Sequence, residues 1–178
     1  GGGGGRGEGR PLRVHAAESP EEVAFLARGE GPLREVYGRF AKTPWTPPGT
    51  TPVRHLHALG VLGPTTLLVH GVQVDEEEVG LLAETGTKVV LCPRSNANLE
   101  VGEAPLALYA KHGVELALGT DSRGSSPDLD VKNEARFLWG RAEPRLLVRA
   151  LTRGGYRALG LPTPRLTRGT PLSLVHFL

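Results

Sequence analysis

The 178-residue chain contains no methionine, a single cysteine and few aromatics, at 5%. One cysteine, Cys92, rules out a disulfide scaffold and makes a reducing, cytoplasmic setting the expectation. No apolar run approaches the ~20 residues of a membrane span, and the start lacks a signal peptide's apolar stretch, so no membrane partner is expected. Excess charge of one sign is also missing. Twenty-one Lys and Arg against 19 Asp and Glu leave +2, with the signs interspersed, so no nucleic-acid partner is expected. The opening GGGGG reads as a flexible, low-complexity lead over residues 1–10. With no Met anywhere, the chain is expected to be part of a longer gene product.

What is present is an alternation of strand and helix signals. LRVHA (Leu12 to Ala16) is a short apolar run, followed by Ser19 as N-cap, Pro20 at N1 and Glu22 closing a capping box. TLLVHG (Thr66 to Gly71) leads to a helix capped by Asp75 with Glu78 at N3. KVVLC (Lys88 to Cys92) precedes Pro93, a polar loop, and a helix that Gly113 ends. VELALGT (Val114 to Thr120) is followed by a polar loop and helices around Val131, Ala135 and Leu138, then Leu147, Ala150 and Leu151. PLSLVHF (Pro171 to Phe177) reads as a final strand. Four strand-then-helix units predict an α/β fold with parallel strands and crossover helices. Residues Glu30 to Pro64 interrupt the rhythm as a long segment whose centre, TPWTPPGTTP, cannot be regular helix or central strand.

The polar residues follow a positional rule. His15 and His70 end the first and second strands, and Asp121 follows the fourth. In parallel sheets and barrels those carboxyl ends face the ligand. Two imidazoles and a carboxylate suit zinc or iron, with an open position for water. Glu18, three residues after His15, could move protons between that water and a leaving group. Singly, each has a plainer reading: a hydrogen-bonded structural histidine, a turn aspartate, a first-turn acid at a helix. Together, at successive strand ends, they favour a site.

Other candidates are weaker. His55 and His57 have a His-x-His spacing, but Val53, Leu56 and Leu59 put them on a helix, where i and i+2 diverge. Cys92 reads as a buried small hydrophobe, and His112 as a partner of a helix carboxyl end. Tyr37, Phe40 and Trp45 read equally as pocket lining or as one apolar cluster.

HAAE from His15, VHGVQVDEEE from Val69, CPRSNANLEVGEAPL from Cys92 and LGTDSRGSSPDLDVKNEARF from Leu118 resemble the amidohydrolase superfamily. The nearest branch is its metal-dependent aminohydrolases, which include adenosine-analogue, S-adenosylhomocysteine, aminodeoxyfutalosine, cytosine and guanine deaminases, and chlorohydrolases. The resemblance implies a (β/α)8 TIM-type barrel of which this chain supplies strands five to eight. Residues 11–161 would form that C-terminal half, and residues 162–178 a strand entering a small β-domain. By the same resemblance His15 and Asp121 are metal ligands, and Glu18, His70 and Asp121 are catalytic. Asp121 accepts a proton, Glu18 protonates a substrate ring nitrogen, and His70 polarises the hydroxide or the substrate, so that Glu18 and His70 touch the substrate. Asn96 is a lesser candidate, a loop anchor.

The resemblance also implies one divalent metal, zinc first, with iron or manganese accepted by the same ligands. The implied reaction is hydrolytic deamination of an aminated heterocycle, an adenosine-like nucleoside first, with release of ammonia. The small-molecule alternatives and rivals are a chlorohydrolase and a catalytically inactive half-barrel serving as a binding partner. The strand-one His-x-His has no counterpart in this sequence. The other barrel half is therefore expected before residue 1 or on another chain, and homo-oligomerisation stays open.

Overall fold

The computed structural model describes residues 11–163. The expected lead at 1–10 and the tail strand within 162–178 lie, apart from residues 162 and 163, outside the described residues. Four strands, β1 (Leu12–Ala16), β2 (Thr66–His70), β3 (Lys88–Leu91) and β4 (Leu116–Leu118), form one sheet in the order β1-β2-β3-β4. All three pairings are parallel, with Ala16 opposite His70, Val69 opposite Val90, and Leu91 opposite Leu118. The expected parallel α/β architecture is therefore borne out. The strands β3 and β4 are shorter than expected in sequence, β3 ending at Leu91 and β4 running only from Leu116 to Leu118.

Helix boundaries follow local chemistry. In α1 (Pro20–Arg28) Ser19 accepts from the Glu22 amide, and Gly29 closes the helix in the left-handed conformation. In α4 (Glu76–Thr85) the reciprocal capping box of Asp75 and Glu78 is complete. The helix α6 (Leu106–His112) ends on left-handed Gly113. The last helical stretch among the described residues comprises α7 (Val131–Phe137), α8 (Pro144–Arg149), a π-helical turn (Ala150–Gly154) and α9 (Gly155–Ala158).

Two expectations need correction. The segment Glu30 to Pro64 holds a helix that was not expected, α2 (Pro32–Phe40), while α3 (Pro52–Ala58) is the helix expected from Val53, Leu56 and Leu59, and residues 43–51 contain no helix or strand, as expected. Both helices begin on a proline, which is harmless at a first helical position because its missing N–H would have no partner there. The polar stretch after Cys92 is likewise a helix, α5 (Pro93–Asn98), started by Pro93, with its first turn formed by the Asn96 backbone amide on the Cys92 carbonyl at 2.9 Å.

The core lies between the sheet and the helices. Leu68, Val89, Leu91, Leu116 and Leu118 pack with Val79, Leu82, Tyr109, Leu138 and Leu147. On the other face Leu67, Val90 and Ala117 meet Ala158. All five β2 residues are buried, as a strand covered on both faces requires, whereas Leu12 on the outer strand β1 is 47% exposed. No helix among the described residues is long and apolar enough to cross a membrane.

The π-helical turn lies directly against β4. A Cβ on Gly154 would sit 2.0 Å from the Leu116 carbonyl oxygen and 3.3 Å from the Ala117 Cα, both backbone atoms that cannot rotate away. Gly154→Ala is expected to destabilise the fold by about 1–3 kcal/mol, the range for overpacking. Thermal unfolding should show a melting temperature several degrees lower; an unchanged value would contradict this packing.

Candidate active site at the carboxyl ends of the strands

The chain leaves β1 and β2 through strained turns. Ala17, His70 and Asp121 are non-glycine residues with φ of 53°, 75° and 59°, and Gly71 follows His70 at 55°. Left-handed backbone is costly for residues with a Cβ and persists where surrounding contacts hold it. Those contacts are visible. The Ala17 carbonyl accepts from the amides of Val72 (2.8 Å) and Gln73 (2.7 Å), tying the β1 and β2 exits together. Tyr109 donates its hydroxyl to the Gly71 carbonyl at 2.5 Å.

These turns bring four side chains into one place. The rings of His15 and His70 lie 5.3 Å apart between centroids. His70 is 1% exposed, and its Nε2 lies 3.6 Å from Glu18 Oε1 and 4.0 Å from Asp121 Oδ2. One ligand atom each from His15, His70 and Asp121 all lie within 4.8 Å of one another. His15 is exposed, so the cluster opens outward at that side. A tetrahedral zinc site needs donors about 3.4 Å apart, given metal–ligand bonds of ~2.0–2.2 Å. Two imidazoles and one carboxylate therefore fit a divalent ion in kind and, with small side-chain adjustments, in spacing. His70 joins His15 and Asp121 in that donor set.

Each member is gripped by a neighbour. Asp121 Oδ2 accepts from the hydroxyls of Ser95 (2.7 Å) and Ser125 (2.9 Å), which are themselves 2.7 Å apart and buried. Burial alone would push the Asp121 carboxyl up, but these two hydroxyls, with the Ser122 amide and the charge of His70, outweigh it and hold it below its ordinary value. Asp121 is thus kept as a carboxylate. Glu22 departs from the expected capping box: its carboxylate takes the amides of Ala17 (3.1 Å) and Glu18 (2.8 Å) instead of closing on Ser19. That carboxylate fixes the backbone from which Glu18 reaches His70. Burial raises the Glu22 pKa, and the two backbone hydrogen bonds only partly oppose it.

Asn96 had only a weak signal in sequence, yet its Oδ1 lies 2.8 Å from His70 Nδ1. Its neighbour Arg94 ties the same helix to the far side of the site. The Arg94 amide donates to Glu134 Oε2 at 3.0 Å, and its guanidinium pairs with Asp128 at 2.9 Å. Asp128 is consequently pulled down to about 2, chiefly by the Arg94 hydrogen bond.

The remaining candidates fall elsewhere. His55 and His57 sit on α3, and His112 Nε2 lies 3.1 Å from Glu76. Trp45 stacks on Phe25 at 4.3 Å with Tyr37 beside both, while Phe40 is 78% exposed and outside that cluster. Cys92 is buried, and its thiol is pushed up to about 12 by desolvation and the nearby Asp121 and Glu134 charges. At pH 8 only roughly one thiol in ten thousand would be ionised. Cys92 is expected to resist iodoacetamide at pH 8 until the protein is unfolded, as peptide mapping would show; rapid native labelling would contradict its burial.

Known proteins share this arrangement of segments. The family model described as "Amidohydrolase family" matches residues 7–177. An aminodeoxyfutalosine deaminase of Deinococcus radiodurans is 43% identical over 92% of this chain and 42% of its own length. A 5-methylthioadenosine/S-adenosylhomocysteine deaminase of Halobacterium salinarum is 34% identical over 94% of this chain and 37% of its own length. Among solved structures, a zinc-bound adenosine deaminase from Xanthomonas campestris matches with a TM-score of 0.66 and 31% identity, over 84% of this chain and 32% of that one. A zinc complex of atrazine chlorohydrolase from Arthrobacter aurescens shares the fold at 23% identity and a TM-score of 0.66, over 86% of this chain and 32% of that one. The chain thus spans about two fifths of the curated relatives it matches. With the family model matched from residue 7 to residue 177, this chain belongs to the amidohydrolase family.

Proposed function

We propose that this chain is strands five to eight of a (β/α)8 barrel whose complete form is a metal-dependent deaminase of an adenine nucleoside or a close analogue. The convergence of His15, Glu18, His70 and Asp121 at one end of a parallel sheet carries the reading. Relatives named for deamination of aminodeoxyfutalosine and of 5-methylthioadenosine or S-adenosylhomocysteine support the substrate class. The remaining half of the barrel would come from sequence before residue 1 or from another chain. The single buried free thiol suits a reducing, cytoplasmic setting.

His15 and Asp121 hold the metal, zinc first, with His70 close enough to join them or to orient the attacking water. Such an ion, when bound, lowers the pKa of water toward ~7 and so supplies hydroxide at neutral pH. The rest falls to the side chains. Glu18 donates a proton to the ring nitrogen beside the amine-bearing carbon, which makes that carbon electrophilic. A C–O bond forms there, Asp121 and Glu18 take up the protons of the former water, and one returns to the amine. The C–N bond then breaks, so that water and an amine become a ring carbonyl and ammonia.

The test is product analysis on the full-length zinc-loaded protein. Ammonia released from 5-methylthioadenosine or a related nucleoside, with no chloride released from a chlorotriazine, is the expected result. Chloride release alone would replace deamination with dehalogenation, and neither product would favour the inactive half-barrel.

A further inference from the structure

Two adjacent residues of α5 reach two different members of the site. Ser95 holds Asp121, and Asn96, 2% exposed, holds His70. An amide oxygen has no proton to give, so the 2.8 Å contact is a hydrogen bond only when His70 carries its proton on Nδ1. A neutral imidazole has one N–H, which leaves a lone pair on Nε2. Nε2 is the nitrogen that faces Glu18 at 3.6 Å and Asp121 at 4.0 Å. Left to those two carboxylates alone, the proton would be drawn to Nε2, and the site would face an N–H instead of a lone pair.

We propose that Asn96 is a positioning residue that fixes the His70 tautomer, keeping the proton on Nδ1 and an acceptor on Nε2 for water or a divalent ion. The helix that carries Asn96 is well suited to this. It is anchored at two successive residues: Arg94 through its backbone amide to Glu134, and Ser95 through its hydroxyl to Asp121. On the other side, His70 is held in left-handed backbone with φ of 75°. Neither partner can readily turn away from the other, so the choice of acceptor decides the tautomer. A mere loop anchor would need no acceptor atom at this point.

The kinetic consequence rests on the deaminase reading; the tautomer does not. The experiment is a long-range ¹⁵N–¹H correlation spectrum of the His70 ring in the full-length protein as purified, at a pH where the ring is neutral. Wild type is expected to show a protonated Nδ1 and an unprotonated Nε2. Asn96→Leu removes the acceptor and is expected to move the proton to Nε2 and lower kcat about 10–100-fold at nearly constant KM, the usual cost of losing such a partner. Asn96→Asp, whose carboxylate accepts the same proton, should restore both the tautomer and most of kcat. A wild-type Nε2–H tautomer, or an Asn96→Leu spectrum identical to wild type, would overturn the inference. If Asn96→Leu does not fold, the wild-type and Asn96→Asp spectra still decide it. Expected tautomers in a protein that deaminates nothing would retire the functional reading and leave the role of Asn96 standing.

Discussion

Glu18→Gln is expected to reduce deamination by about 10²–10⁴-fold, the usual contribution of one general acid–base group, while folding and metal content stay unchanged. The substitution keeps the size of the side chain and removes only its ability to exchange a proton. Its structural cost should be small. The backbone at Glu18 is held by the Glu22 carboxylate on the residue's own amide, not by the Glu18 side chain, which is 28% exposed and faces His70. Turnover, circular dichroism and metal analysis of the same preparation separate the outcomes. A full rate in Glu18→Gln would remove Glu18 from the chemistry and, with it, the proposed route for protons between water and ring nitrogen.

Asp121→Ala is the second large effect. It removes a carboxylate from the set formed with His15 and His70, and at the same time leaves the Ser95 and Ser125 hydroxyls facing a void. Loss of a direct ligand should exceed the 10–100-fold penalty typical of outer partners, so metal content and turnover are expected to fall together. Asp121→Asn makes a useful contrast. It keeps the volume and an oxygen for the serines but has no charge to offset a cation. Metal analysis should show both variants depleted, with Asp121→Asn better folded. Wild-type metal occupancy in Asp121→Ala would exclude Asp121 as a ligand. Occupancy retained without activity would instead leave it the proton-accepting role alone.

Glu22 shows how structure reassigns a residue whose local signal was clear. Ser19 and Glu22 have the spacing of a capping box, and the Ser19 half of it forms. The Glu22 half does not, because the chain turns left-handed at Ala17 and presents two other amides, those of Ala17 and Glu18, to the same carboxylate. A helix-start motif thereby becomes part of the support of the site.

Elements whose causes are local were legible in the order of residues alone. Apolar runs of strand length marked β1 to β4, and caps such as Ser19, Asp75 and Gly113 marked helix ends, because a cap acts within one turn of its own position. The residue order also placed His15, His70 and Asp121 at strand ends, since parallel topology puts every such end on the same side. What holds them in place comes from contacts between residues far apart in the chain. Asn96 lies 26 positions from His70, Ser95 26 from Asp121, and Ser125 30 from Ser95, and no spacing rule connects residues so far apart. The helices α2 and α5 have no such local mark for a related reason, whereas α3 shows in the spacing of Val53, Leu56 and Leu59. Proline reads as a breaker until the fold shows that it stands at a first helical position, where no hydrogen bond is lost.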